Sequence, residues 1–450
     1  MTFLYPLKYT LFVVLFIIAS VGCTTTSTTT KKARKPKEVY DVSGNRIIQK
    51  LTFAGVVVTG FDVNSTEAKK SEWLNSNFKY SQHILGLSDP TPERISKLSA
   101  YFSAAFDNVT NPEFSVSLSD TGLSDDEAKA FVFAIDEETI SQESFGEFNL
   151  TTVDLSGQII VFDWKEKLFL ASYPVLLVAK RKQDPTDDLL DAFDKLYFNG
   201  WGENSVGMFD IFINRMQENL SLTRISQGLN MKVGVDNVSI EEEAISKLPQ
   251  KYSKNQASLK DYKNFLAQQF LLYLAKNQNL ATVPYGEKSG ESRGNRTLDI
   301  IPGGGSMLKK FSDSTEANRL QIPDPDYSFD INLKKLVEVE AKKSEIDKIV
   351  VFGSAIDLTA KIHFNEDIQF SEYIKKGIQE RFPLRNLNYD KWRYFLTCQQ
   401  TLFQEITQNL SSPNSKWAKS SGSGSSLQKK FREFYNNHLS KCALDTKPSS

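Results

Sequence analysis

The amino-acid sequence predicts an α+β fold made of two related α/β units, each with antiparallel β-hairpins and flanking helices, followed by a C-terminal helix. Apolar runs rich in β-branched residues alternate with stretches of helical periodicity along the chain. Two such runs, 158–164 and 168–178, are separated only by the polar residues 165–167, and this spacing predicts a hairpin. Similar patterns also recur about 190 residues apart, which indicates two related units.

The first unit is expected over residues 46–222. Thr91 followed by Pro92 is typical of a helix start, because proline already has the required φ and has no N–H to leave unsatisfied. Other expected elements are strands in 47–63 and at 131–135, a turn at 154–157, and helices capped by Ser124 and by Thr186.

The second unit is expected over residues 223–412, followed by a Ser/Gly loop, a C-terminal helix and a tail over 413–450. A strongly apolar helix begins near Ser258. The remaining expected elements are strands at 280–283, 330–339 and 348–364, helices at 371–381 and 391–410, and a final amphipathic helix at 427–439.

An internal repeat is suggested by tetrapeptides of the two predicted units. Ile159-Ile-Val-Phe162 corresponds to Ile349-Val-Val-Phe352, and 219–221 and 409–411 are both Asn-Leu-Ser. A weaker match joins 106–108 to 275–277 at a shorter offset. The alternative is coincidence, because apolar strands and amphipathic helices look alike in many proteins.

The composition indicates a globular protein without a dominant charge. Of the 450 residues, 40% are hydrophobic and 24% charged, and the formal net charge is −1. This balance disfavours disorder, and it provides no overall field that would attract nucleic acid. We therefore expect no nucleic-acid partner.

The N-terminal residues 1–22 have the layout of a secretory signal peptide. Lys8 precedes an apolar run, 11–19, and small residues lead to Cys23. The run is short for a membrane-spanning helix, which needs about 20 residues. Ordinary cleavage near Cys23 and an uncleaved anchor remain alternatives.

The segment Ser20-Val21-Gly22-Cys23 resembles a bacterial lipobox, although leucine is commonest where this chain has Ser20. The resemblance implies lipidation of Cys23 with fatty acids such as palmitate, cleavage before it, and anchoring in a bacterial cell envelope. Thr24 after the cysteine favours the outer membrane over the inner one, again by resemblance. The order of the later elements also resembles small α/β modules of envelope lipoproteins, such as the amino-terminal domain of TolB and the curli secretion lipoprotein; this implies a fold only.

Residues 23–45 are predicted to form a flexible linker behind the anchor. Thr24–Thr30 is polar and of low complexity, and the basic residues of 31–37 surround Pro36. The basic residues are expected either to be a solvated spacer or to make a second contact with an anionic membrane surface.

Two further cysteines, Cys398 and Cys442, are candidates for a disulfide. An exported protein reaches an oxidising compartment, where such pairing is common. The alternative is two unrelated buried thiols.

No motif in the sequence predicts catalysis, a cofactor or a metal site. The three histidines lack metal-ligand spacing, and the loop at 302–306 lacks the lysine spacing of a phosphate loop. Asp324, Asp326 and Asp330 alternate as in a calcium loop, but the required Gly and Glu are missing, and a turn entering a strand is the simpler interpretation.

The leading hypothesis is a non-enzymatic, lipid-anchored envelope protein that binds or scaffolds another protein near a membrane. One alternative is a solute-binding lipoprotein with a ligand between two lobes. Another is an envelope hydrolase whose active site is dispersed along the chain. A deep cleft between the units would favour the solute-binding protein, and a shallow exposed apolar surface would favour the partner-binding protein.

Overall fold

The computed structural model describes residues 49–61, 66–88, 90–111, 113–118, 129–144, 147–184, 186–202, 206–220, 231–285, 296–303, 319–384 and 389–442. The predicted signal peptide, Cys23, the linker and the helix capped by Ser124 lie outside these residues. Within the described part, no helix is both long enough and apolar enough to cross a membrane.

The strands are β1 (Gln49–Thr59), β2 (Phe114–Ser117), β3 (Lys129–Ser144), β4 (Asn149–Asp163), β5 (Phe169–Gln183), β6 (Val233–Ile240), β7 (Arg296–Pro302), β8 (Arg319–Ile322), β9 (Tyr327–Lys343), β10 (Asp347–Ile362) and β11 (Asp367–Pro383). The helices are α1 (Glu67–Asn77), α2 (Ser81–Ile84), α3 (Pro92–Asp107), α4 (Leu189–Phe198), α5 (Met208–Asn219), α6 (Glu242–Ile245), α7 (Gln250–Ser253), α8 (Gln256–Gln278), α9 (Lys391–Gln408), α10 (Ser415–Ser421) and α11 (Ser425–Asn437).

The first sheet has the strand order β5-β4-β3-β1-β7-β8, and β2 also pairs with β1. β1 runs parallel to β3, whereas β3, β4 and β5 form an antiparallel meander. The expected hairpin at 158–178 is confirmed, and its strands extend well beyond the apolar runs.

Both faces of the first sheet are buried. One face packs against the helices, where Phe133 of β3 stacks on Phe212 of α5 with ring centroids 4.7 Å apart. The opposite face forms a second core with the β7–β8 hairpin, whose Gln321 bridges back to Leu168 beside β5. This double burial explains why 131–135 and 159–162 are continuously apolar rather than alternating.

The second sheet has the order β11-β10-β9-β6, with β6 parallel to β9 and the other pairs antiparallel. One face packs on α8, α9 and α11 through aromatic residues such as Phe270, Phe329 and Phe403. The other face carries exposed side chains, including Val337, Val339 and Tyr373.

The two sheets repeat one topology, so the predicted α+β class with two related units is confirmed. In each unit a first strand leads through helices to a parallel neighbour, from which two antiparallel strands continue. The strands β4 and β10 occupy equivalent places, but the matched tetrapeptides do not: 159–162 lies near the end of β4 and pairs with the start of β3, whereas 349–352 lies near the start of β10 and pairs with the end of β9. The exact domain boundaries, 46–222 and 223–412, stay a prediction; β7 and β8, from the second range, join the first sheet.

Several local predictions were wrong. The expected helix at 371–381 lies in β11, which pairs with β10 over its full length. Long-range pairing with an existing sheet outweighs weak local helical periodicity. The expected strand at 280–283 is reduced to bridges from Thr282 to Ser172 and Val233, and Pro284 has no N–H to continue a ladder.

The expected turn at 154–157 is instead the middle of β4. Gly157 is present there because a Cβ would lie 2.3 Å from the carbonyl oxygen of Ala134 on β3. The glycine therefore marks a close approach of two strands rather than a chain reversal.

The disulfide between Cys398 and Cys442 is not formed in the structure, where both thiols are free and buried. The Sγ of Cys398 lies 3.4 Å from the carbonyl oxygen of Phe352 on β10. Cys442 ends a short 3₁₀ helix, and its carbonyl oxygen accepts the N–H of Ala281. Cys398 thus packs against the second sheet, whereas Cys442 lies beside the segment that follows α8.

Candidate binding site

Three consecutive acidic residues, Asp136, Glu137 and Glu138, interrupt β3 directly after its apolar run. Asp136 is the extra residue of a β-bulge, because Ile135 pairs with Gly157 whereas Glu137 pairs with Ser156. Bulges redirect side chains and are frequent beside functional sites. Here the bulge directs acidic groups toward the junction between the first sheet and the helices of the second unit.

The Asp136 carboxylate is held inside the protein by two donors. It accepts hydrogen bonds from Thr59 Oγ1 at 2.6 Å and from Gln158 Nε2 at 2.9 Å. Burial nevertheless raises the pKa of Asp136 to about 6, because the hydrogen bonds offset only part of the desolvation of its charge.

Glu137 and Glu138 have different partners. Glu138 accepts the backbone N–H groups of Tyr80 and Ser81 at 3.1 and 2.7 Å, so it caps the short helix α2. Glu137 accepts the hydroxyl of Tyr252 at 3.2 Å, and burial raises its pKa to about 7 despite the nearby charge of Lys251.

These side chains line a small cavity together with Lys251 and Asp261. Its volume of about 50 Å³ leaves room for a few water molecules but not for a sugar or an amino acid. Burial raises the pKa of Asp261 to about 6. Among the described residues, no group of three or more acidic, His or Cys side chains is arranged to hold a metal ion. The cavity is therefore too small for a solute.

Further carboxylates join the same two units where α9 lies against β3 and β4. Glu143 accepts the Tyr394 hydroxyl at 2.7 Å and pairs with Arg393 at 2.9 Å, and both members of this ion pair are largely buried. Gln400 donates to Asp154 at 3.3 Å. The junction is thus polar, and its charges are held by specific partners.

A larger opening lies on the exposed face of the second sheet. Register places Val337 beside Gly353, and Gly353 beside Gly377, in one row across β9, β10 and β11. The neighbouring row is Lys335, Ala355 and Lys375. Because the two glycines have no side chains, the rows leave an open groove of about 370 Å³. We call this feature the outer-face groove.

The outer-face groove has an apolar and basic lining. Val337 and Tyr373 are 38% and 44% exposed, and Val339 is 51% exposed in the next row along β9. The described residues that line the groove include no carboxylate. They are Lys335, Val337, Gly353, Ser354, Ala355, Tyr373, Lys375, Lys376, Gly377, Ser420 and Ser421.

The three lysines beside the groove have different partners. Lys335 pairs with Glu243 of α6 at 3.1 Å. Lys376 pairs with Glu405 of α9, so its side chain lies on the helix-packed face of the sheet rather than in the groove. Within the part of the chain that the structure describes, the side chain of Lys375 makes no ion pair or hydrogen bond. The ammonium group of Lys375 is therefore available to an anionic partner.

The aspartates that resemble a calcium loop have other roles in the structure. Asp326 accepts the backbone N–H of Lys232 at 2.7 Å, and Asp330 pairs with Lys361 at 2.8 Å. His363 Nε2 lies 3.5 Å from an Asp324 oxygen. The segment is a turn that enters β9, as its simpler interpretation predicted.

Sequence reasoning named neither the acidic bulge nor the outer-face groove. The run 136–138 after a buried strand was a visible signal, because charged residues rarely continue an apolar strand without partners. The groove had no comparable signal, since Gly353 and Gly377 become neighbours only when β10 pairs with β11.

Comparisons with known proteins identify no family for this chain. No family model matches it, and no curated protein sequence matches it. A hypothetical protein from Chlamydia trachomatis aligns at a TM-score of 0.22 and 12% identity, covering 40% of this chain and 95% of its own. A protein from Helicobacter pylori described as a neuraminyllactose-binding hemagglutinin homolog aligns at 0.20 and 14%, covering 44% and 88%. Likenesses at these TM-scores identify neither a fold family nor a function.

Proposed function

We propose that this chain is an exported, lipid-anchored protein of a bacterial cell envelope, and that it acts by binding another protein rather than by catalysis. The observation that carries the binding role is the outer-face groove. It combines exposed apolar side chains with basic ones on a sheet face that nothing in the described residues covers. Exposed apolar surface of this kind is frequent at sites of protein association.

The equivalent face of the first sheet supports the same interpretation. There the β7–β8 hairpin covers the sheet and completes a buried core. Two units of one topology thus differ in whether the second face is covered. The uncovered face is where a partner can bury side chains that the chain itself leaves in water.

The solute-binding alternative is less well supported. A solute-binding protein needs a cavity that encloses most of its ligand, usually with a volume of about 300–1,000 Å³. The cavity at the junction of the two units has only about 50 Å³, and specific hydrogen bonds hold the side chains around it. The hydrolase alternative has no support in these contacts, because Asp136 and Glu138 are occupied by structural donors.

Export and anchoring rest on residues 1–45 of the sequence. A lipid at Cys23 would hold the globular part near a membrane by a linker of about 20 residues. Concentrating a binding face at a membrane raises its effective concentration for partners held at the same surface.

The binding role is tested by photo-crosslinking in living cells. A photoreactive amino acid replaces Val337 in the outer-face groove, and a matched variant carries it at Val178, an exposed valine on β5. We expect a discrete protein adduct, identified by mass spectrometry, from position 337 and none from position 178. Equal labelling at both positions, or none at either, would contradict the proposed role.

A further inference from the structure

We infer that the outer-face groove recognises an acidic, extended polypeptide segment, with a carboxylate held between Lys335 and Lys375 and an apolar side chain on the Gly353–Gly377 floor. This inference rests on the proposed binding role, and it names the chemistry of the partner.

The two lysines are placed to act on a single anionic group. Both are paired in register with Ala355 of the central strand, one from β9 and one from β11. Neighbouring strands lie about 4.8 Å apart, so the two Cα atoms are separated by about 10 Å across a small alanine. Flexible lysine side chains on the same face can therefore converge above Ala355.

Charge complementarity favours a carboxylate at this position. Lys335 already binds one carboxylate, that of Glu243, at 3.1 Å, and both side chains of this pair are about half exposed. Exposed pairs of this kind contribute little stability and exchange partners readily. Lys375 has no acidic partner among the described residues, so a ligand carboxylate meets one free ammonium group and one that can be shared.

The glycine floor provides room for an apolar side chain beside that carboxylate. A Cβ built on Gly353 or Gly377 would have its nearest neighbours at 3.6 and 3.5 Å, which are ordinary contact distances. Neither position has a left-handed φ, so the backbone does not require glycine at either place. The glycines therefore create open surface that an added Cβ could occupy at ordinary contact distances.

The dimensions fit a polypeptide better than a membrane or a sulfated glycan. Surfaces for anionic lipid use clusters of about four to eight Lys or Arg residues, and basic patches for heparin are of similar size. Among the described residues this groove presents two lysine side chains, Lys335 and Lys375, and Lys335 is already paired. About 10 Å of groove corresponds to roughly three extended residues, enough for one acidic and one apolar side chain.

The test measures binding of a fluorescein-labelled peptide of alternating glutamate and valine to the full chain in detergent. Lys335→Gln and Lys375→Gln should each weaken binding about fivefold, the upper end for exposed charge pairs. Gly377→Val, which fills the floor, should weaken it as well. Lys342→Gln is the matched control, because Lys342 is an exposed lysine on β9 outside the groove.

Other outcomes would overturn the inference. Unchanged peptide binding in Lys375→Gln would refute the acidic segment. Stronger binding of heparin or of phosphatidylglycerol vesicles than of the peptide would refute it as well. Crosslinking from position 337 in cells distinguishes failure of the acidic-segment inference from failure of the proposed binding role. A partner adduct that persists undiminished in Lys335→Gln and Lys375→Gln would refute the acidic segment and leave the binding role standing. Absence of any specific adduct would refute the binding role itself.

Discussion

The carboxyl group of Glu137 should make the folded protein less stable as pH rises toward neutrality. Burial raises the pKa of this group from 4.5 to about 7, and the charge of Lys251 and the hydroxyls of Thr139 and Tyr252 only partly oppose the shift. Between these two values the folded state binds more protons than the unfolded state. The free energy of unfolding therefore falls as pH rises through this window.

The size of the effect follows from the two pKa values. A shift of this size corresponds to about 3 kcal/mol of stability that is present below pH 4.5 and lost by about pH 7. This figure is an upper bound, because Glu137 borders a cavity of about 50 Å³ and any water that enters it would solvate the charge. Asp136 and Asp261, with pKa values raised to about 6, act in the same direction.

Urea denaturation at pH 5 and pH 7.5, followed by the fluorescence of the five tryptophans, measures this dependence. Glu137→Gln keeps the shape of the side chain and removes its charge. We expect the variant to gain up to about 3 kcal/mol at pH 7.5 and little at pH 5. Glu340→Gln, at an exposed site on β9, should keep the wild-type difference. The reasoning is wrong if Glu137→Gln leaves that difference unchanged or enlarges it.

Other substitutions test the packing of the fold. Gly157→Ala should destabilise the protein by about 2 kcal/mol or more, because its Cβ would lie 2.3 Å from a backbone oxygen. Gly353→Ala, whose Cβ has room, should change the urea midpoint little. Equal effects of the two substitutions would contradict the strand geometry. Arg393→Ala leaves a buried glutamate without its cation and should lower the free energy of unfolding by about 3 kcal/mol; a loss below 1 kcal/mol would mean that the pair is solvated. Burial raises the pKa of Cys398 to about 11 and that of Cys442 to about 12, so neither thiol should react with Ellman's reagent at pH 8 until the chain unfolds. An intact mass two hydrogens lower would instead show that the two cysteines are bonded.

The sequence predicted best those elements whose signals are local. The start of α3 at Pro92 is confirmed with Thr91 as its cap, since the Thr91 side chain accepts the N–H of Arg94. The helix expected from 391 is confirmed, with Asp390 as its cap. The helix after β5 was predicted, but its cap is Asp188 rather than Thr186. Capping and helical periodicity depend on a few neighbouring residues, so they can be read without the fold.

Features that depend on pairing between distant segments could not be predicted from neighbouring residues. The segment 371–381 is a strand because β10 provides a partner for its whole length, and that partner lies beyond any local window. The outer-face groove requires the register of three strands, and the acidic cavity requires α7 and α8 to lie against the bulge of β3. The repeat is visible in the order and pairing of the strands, whereas the tetrapeptides 159–162 and 349–352 lie at opposite ends of the equivalent strands β4 and β10.

Metabolic labelling with a radioactive fatty acid tests whether Cys23 carries a lipid anchor, by comparing wild type with Cys23→Ala in a bacterial host. We expect label on the wild-type chain, loss of label in the variant, and wild-type protein in the outer-membrane fraction. A wild-type chain without label would contradict the anchored envelope role. The outer-face groove would then have to serve a freely secreted protein or one held in the membrane by other means.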